Sequence, residues 1–289
     1  MSSLPGSTES FFFLMLGSLQ SQASLVFESG GEGHTALTRR RAGGLFHVGK
    51  PYWDGQALSA QVVNPTAGLF AGDEMELGVE LGEGSQVELS SPNATRFYSM
   101  DNRPAMIQQR FTIGPKASLE YHPNWVVPQQ GSSVEQHTRI EVAKSGELIF
   151  FDCLAPGRVR HGEQYRYKRY VTSLELRYKD ELRAKERMIL EPDLGGWPLF
   201  VPGWEVCFYG AVWLVSDRLE DHFDSLASLE SSLNGPSLKC GLTMQGPGVV
   251  VIRLLAARSL LVKKAFARIR KAAAPIFPIL QREQRIPQT

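Results

Sequence analysis

Apolar and polar residues alternate in short runs along most of the chain. Residues 23–28, 34–41, 45–48, 56–63 and 75–81 each read as strand, and 56–63 and 75–81 alternate apolar and polar side chains with the period of a half-buried strand. One unit then recurs. Residues 79–89 (VELGEGSQVEL) lie over 111–121 (FTIGPKASLEY) and, allowing a slip of one residue, over 140–150 (IEVAKSGELIF). Each copy reads as strand, tight turn, strand, and the copies are about thirty residues apart, a spacing typical of stacked architectures. A single unit has too little apolar surface to be stable alone, so neighbours must stack. The pattern predicts a mainly β protein, a β-helix-like stack of strands in layered sheets. A β-sandwich with regular hairpins gives the same pattern.

Further on, residues 164–178 read as one long strand, bent or split by a bulge, that pairs with 181–190 across Lys179 and Asp180. Residues 192–203 are rich in Gly and Pro and hold Trp197, with Trp204 just beyond. Residues 206–216 are a strongly apolar strand. Residues 217–233 have helical spacing, with Ser216 or Asp217 as N-cap and Asn234-Gly235 as the stop. Strands follow at 238–244 and 249–255, then a basic amphipathic helix at 257–273, ended near Pro275. The fold class is therefore mainly β, with two helices in the C-terminal third. The expected organisation is a flexible leader (1–22), one β domain (23–274) and a flexible tail (275–289).

Composition narrows the function. With 31 basic and 30 acidic residues, the net charge of +1 gives no bulk attraction to nucleic acid or anionic lipid. No run approaches the ~20 apolar residues of a membrane helix. Residues 11–16 are apolar, but no basic residue precedes Arg39, and a secretory signal needs a positive region before its apolar core. The three cysteines are scattered, which fits a reducing, cytoplasmic setting. The six histidines form no metal-binding pair spacing, and no nucleophile elbow or active-site Cys signature occurs, so the chain is not read as an enzyme.

Between the strands at 56–63 and 75–81 lies Asn64-Pro65-Thr66-Ala67-Gly68-Leu69-Phe70-Ala71-Gly72-Asp73. Pro65 fixes its own φ, Gly68 and Gly72 permit φ > 0, and Asn64 and Asp73 suit turns. This stretch resembles the signature of the UreD (UreH) family of urease accessory proteins, whose members usually carry Gly at the positions of Ala67 and Ala71. Further similar segments follow in family order: Ala94-Thr95-Arg96-Phe97-Tyr98, the loop from Pro123 to Gly131, and Gly157-Arg158 followed by Gly162-Glu163.

The resemblance implies a scaffold or chaperone for metallocentre assembly in urease, not an enzyme. It implies binding to the urease apoprotein and to UreF, with the GTPase UreG reached through UreF. It also implies nickel insertion through an internal polar path, with no tightly bound cofactor. On this reading Asn64, Thr66, Gly68, Gly72, Asp73 and Arg96 form the signature loop and conduit wall. Asp73, Glu163 and Glu175 line the transient nickel path. Oxygen donors suit a path, because thiolates or clustered imidazoles hold nickel too tightly to release it. Trp197, Trp204 and Phe266 supply partner-binding surface. The alternatives are a β-helix carbohydrate-active enzyme with paired carboxylates in a groove, or a β-sandwich binding module.

Overall fold

The computed structural model describes residues 18–30, 33–55, 57–101, 103–192 and 201–281. One sheet holds seven strands: β1 (Gln20–Ser29), β2 (Thr35–Ala42), β6 (Glu74–Leu81), β9 (Ala105–Ile113), β12 (Ser133–Val142), β14 (Arg169–Tyr178) and β15 (Glu181–Leu190). The other holds β3 (His47–Val48), β4 (Tyr52–Asp54), β5 (Ala57–Val63), β7 (Gln86–Ser90), β8 (Thr95–Phe97), β10 (Ser118–His122), β11 (Val126–Pro128), β13 (Glu147–Leu154), β16 (Phe208–Val215), β17 (Leu238–Met244) and β18 (Val249–Ala256).

The middle of each sheet is parallel. In the first, β1, β6, β9, β12 and β14 run side by side in one direction, with β2 and β15 antiparallel at the edges. In the second, β5, β7, β10 and β13 are parallel, and β16, β18 and β17 continue antiparallel. The chain therefore coils, a strand in one sheet leading by a tight turn to a strand in the other, through about four turns of a β-solenoid.

The sequence repeat is the register of this stack. Val79 lies beside Phe111 and Phe111 beside Ile140 in the first sheet. Val87 lies beside Leu119 and Leu119 beside Leu148 in the second. No slip is needed between the second and third copies. The turns stack as well: Gly82 N–H donates to Phe27 O (2.8 Å), Gly114 N–H to Leu81 O (2.8 Å) and Ala143 N–H to Ile113 O (2.9 Å). Gly114 is required by this closeness, since a Cβ there would stand 2.7 Å from Leu81 O. Parallel pairing between coils removes the β-sandwich alternative.

Two cores result. Between the sheets lie Leu25, Val79, Phe111, Ile140, Leu176, Val87, Leu119, Leu148 and Trp213. On the outer face of the second sheet, Ile149, Phe151, Val212, Leu214, Ile252 and Leu254 meet α1 (Phe223–Leu233) and α2 (Ser259–Ala273). Burial on both faces explains the apolar run of β16 and that of β18, which only Arg253 interrupts.

Three expectations need adjusting. The first helix starts at Phe223, after His222, not at 217. Its two expected caps serve tertiary contacts instead. Asp217 Oδ1 accepts from Tyr178 Oη (2.6 Å) and Lys179 Nζ (2.5 Å), and Ser216 Oγ donates to Glu147 Oε1 (3.2 Å). The strand expected from 164 begins at Arg169, because the preceding segment turns at Tyr165 (φ 57°), whose phenol oxygen accepts from Cys207 N–H (2.8 Å). Ile276, Phe277, Ile279 and Leu280, assigned by the sequence reading to the start of a tail, are buried in the second core. The expected leader lies almost wholly outside the described residues.

Candidate functional site: a polar cavity between the sheets

The signature loop forms a third side of the coil. Leu69 N–H donates to Arg96 O (2.8 Å) and Tyr98 N–H to Leu69 O (3.0 Å), so the loop lies on β8. That strand in turn lies on β11, with Thr95 beside Val126 and Gln129 N–H donating to Phe97 O (3.0 Å). Each loop residue has a local task. Asn64 Oδ1 accepts from Thr66 N–H (2.9 Å) and Thr66 Oγ1 (2.7 Å), closing the turn at Pro65. Gly68 has φ 155°, and a Cβ on it would stand 2.6 Å from Arg96 O. Gly72 has φ 76°, the left-handed region. Asp73, 6% exposed, accepts Leu19 N–H (2.9 Å) on one carboxylate oxygen and Phe70 N–H (2.8 Å) on the other. Ala67 and Ala71 are not among the residues with positive φ, so their methyl groups bring no backbone strain of that kind.

Behind this loop the sheets enclose a cavity of about 60 Å³. Its polar lining comes from separate coils: Asn64 and Asn93 near the loop, Ser91, Thr95 from β8, Gln109 from β9, Tyr121 from β10, Asn124, Gln136 from β12 and Asp152 from β13, among apolar side chains such as Phe46, Leu77, Ile107 and Phe150. The side chains are tied to one another. Gln109 Nε2 donates to Tyr121 Oη (3.3 Å), Thr138 Oγ1 to Gln109 Oε1 (3.1 Å), and Tyr170 Oη to Gln136 Oε1 (3.3 Å). Asp152 is the one carboxylate on the lining, and among the described residues it makes no ion pair. Burial pushes its carboxyl up to about 6, against a hydrogen bond from the backbone N–H of Cys153. Burial likewise raises the Tyr121 phenol. The cavity is roomy and polar enough for water, and every donor on it is an oxygen or an amide. Cys153, next along β13, is buried on the helix side of the sheet, so no thiolate faces the cavity.

Of the site residues expected from the sequence, only Asn64 lies on this lining, together with Thr95, Pro123, Asn124 and Val126 from the other family-like segments. Thr66, Gly68, Gly72 and Asp73 shape the loop in front of it, and Arg96 is exposed on β8. Glu163 is paired with Arg158, whose Nε donates to its Oε2 (2.8 Å), and that guanidinium holds the Glu163 carboxyl below the usual range. Glu175 lies on the outer face of the first sheet, in a groove of about 330 Å³ of mixed charge, near Arg139 (3.6 Å) and Arg177 (3.4 Å). Asp73, Glu163 and Glu175 thus do not share one wall. Trp204 is half-buried, its indole N–H donating to Pro236 O (3.1 Å). Phe266 packs inward on Phe151, with ring centroids 4.9 Å apart. Trp197 lies outside the described residues.

The sequence reading missed Asp152, Tyr121, Gln109 and Gln136. The available signal was parity. In β13, Leu148, Phe150 and Leu154 face the other sheet, which places Asp152 with them. A second buried carboxylate was also missed. Glu120 of β10, fully buried, accepts Arg270 Nε (2.6 Å) and Nη2 (3.1 Å) from α2 and is 2.7 Å from His122 Nε2. Glu88, Glu120 and His122 bring potential ligand atoms within 4.8 Å of one another, but the Arg270 guanidinium already sits on Glu120.

A model of the UreD urease accessory protein family matches residues 20–289. The chain is 39% identical over 158 residues to a urease accessory protein UreD of Opitutus terrae, 54% of this chain and 58% of that protein. It is 29% identical over 163 residues to a UreD of Acetivibrio thermocellus, 56% of this chain and 62% of that protein. It is also 29% identical over 258 residues to a protein named urease accessory protein UreD 2 of Pseudomonas syringae pv. tomato, 88% and 89% of the two chains. The matched stretches thus span less than two-thirds of the first two relatives. All three are named as accessory proteins rather than as enzymes. Among the described residues, no helix is long and apolar enough to cross a membrane.

Proposed function

Because the chain belongs to the UreD family of urease accessory proteins, we propose that it acts in the cytoplasm in the maturation of urease, as a non-enzymatic scaffold for the apoprotein and UreF. UreG joins this assembly through UreF. Nickel passes as cargo along the space between the two sheets on its way to the urease site. The observation that carries this reading is the cavity behind the signature loop, with the Asp152 carboxylate on its wall. A dry solenoid core of the same size needs no Asp, Gln or Tyr hydroxyl between its sheets, since each costs free energy to bury.

The lining fits passage better than storage. Amide, hydroxyl and phenol oxygens replace part of the hydration shell of a divalent ion without the grip of thiolates or several imidazoles. Asp152, at about 6, is largely ionised at neutral pH and supplies one negative charge in a confined space. Asp73 is held by backbone N–H groups and Glu163 by Arg158. Their task in this proposal is to keep the loops in front of the cavity in place.

The test is a plug. Ser91→Leu adds apolar volume to the lining and leaves the Asp152 side chain in place. Urease matured with this variant should contain several-fold less nickel per active site while the complex with apoprotein and UreF still co-purifies. Full nickel content with the plug in place contradicts passage through this cavity.

A further inference from the structure

From Gly33 to Trp53 the chain carries Arg39, Arg40, Arg41 and Lys50 and not one Asp or Glu, although it has 31 basic and 30 acidic residues as a whole. The fold gathers this stretch at one end of the stack. β2 is the last strand of the first sheet, and β3 and β4 lie along the outer edge of β5 in the second. Arg39 pairs in register with Val26, Arg40 with Leu25 and Arg41 with Ser24. Arg39 and Arg41 therefore share the outer face, while Arg40 leans over the end of the core, where its Nη1 donates to Val48 O (3.5 Å). All four cations are exposed, and among the described residues none makes an ion pair.

At the Thr35 end of β2 stand Trp53, 60% exposed, and Tyr52, 48% exposed. Trp53 is exposed yet fixed: its indole N–H donates to Thr35 O (2.8 Å) and its ring meets the edge of His34 at 6.4 Å between centroids. Arg on an open edge strand is a common guard against strand-to-strand aggregation. That role accounts for β2 but not for Lys50 or for a pinned, exposed Trp on another strand. Rigid aromatics next to unpaired Arg are the typical composition of binding hot spots. The edge from Thr35 to Ala42 spans about 25 Å, the width of an ordinary protein interface patch.

We propose that this end face, made of Arg39, Arg40, Arg41, Lys50, Tyr52 and Trp53, is a docking surface for an acidic patch on a protein partner. A single-stranded nucleic acid is the poorer match, because the aromatics sit at one end rather than between the cations, so successive bases have no stacking track. The proposal rests on the maturation reading above and names the chemistry of its partner contact.

The experiment compares co-purification of the urease apoprotein and UreF with the full chain, with Arg39→Glu/Arg41→Glu and, separately, with Trp53→Ala. The wild type should hold at least one partner at about 50 mM NaCl and release it near 500 mM, where exposed charges are screened. The double reversal should weaken that affinity at least tenfold with an unchanged melting temperature, and Trp53→Ala should weaken it about tenfold. If the wild type holds neither partner, the maturation reading itself fails. If the wild type binds and both variants bind equally well, the docking face fails alone. Binding of a DNA oligonucleotide by the wild type that the double reversal abolishes overturns the assignment to protein.

Discussion

Glu120, fully buried, and Asp152, half-buried, are carboxylates on opposite faces of neighbouring strands of one sheet, and they are shifted in opposite directions. β10 and β13 pair in parallel, with Tyr121 beside Phe150. Glu120 faces α2, where burial pushes its carboxyl up but His122 and Arg270 outweigh that and bring it down to about 2. Asp152 faces the other sheet, where burial pushes it up to about 6 with only a backbone N–H in opposition. The first charge is closed by its partners and fixes a helix to the stack. The second makes no ion pair among the described residues and looks into a cavity. The two faces of one sheet thus hold a carboxylate closed by an ion pair and a carboxylate left on the wall of a cavity.

The largest expected effect removes the closed charge. Glu120→Gln removes the buried carboxylate charge that accepts Arg270 Nε and Nη2 and should cost about 3–5 kcal/mol in denaturant unfolding at pH 7. The sign of the pH dependence follows from the lowered value. The stabilisation is complete above the ordinary carboxyl range near 4.5 and fades as pH falls towards 2, so the gap between wild type and variant should close over that interval. A constant gap contradicts the ion-pair assignment.

The opposite shift has the opposite sign. Asp152 is easier to bury protonated, so its contribution is fully present below about 4 and is lost as pH rises through about 6. Asp152→Asn should match the wild type near pH 4 and exceed it by about 1–3 kcal/mol at pH 7. A variant less stable at pH 7 than at pH 4, relative to wild type, would place an unseen partner on Asp152. Smallest of all, Glu175→Gln should change stability by no more than about 0.5 kcal/mol, since its Arg contacts are on a solvated face. It should leave the nickel content of urease unchanged.

Sequence reading recovered what local periodicity encodes. The strands at 181–190 and 238–244 fall where alternation put them, and the repeat at 79, 111 and 140 is the physical register of the stack. The start of α1 was hidden because Ser216 and Asp217, good caps by type, bond to Glu147, Tyr178 and Lys179 from distant strands. The site was hidden for a related reason. Asn64, Gln109, Tyr121, Gln136 and Asp152 come from successive coils and meet only once the coils stack. The motif residues drew attention because turns carry strong local signals. Asp73 turned out to hold its own loop, and Phe266 to fill the helix–sheet core.

The most direct test is the nickel content of urease matured with Asp152→Leu, measured per active site beside wild type and Glu175→Gln, on complexes that co-purify in equal amount. The account expects a several-fold loss with Asp152→Leu alone. Wild-type nickel content from a chain whose cavity has lost its only carboxylate would contradict it.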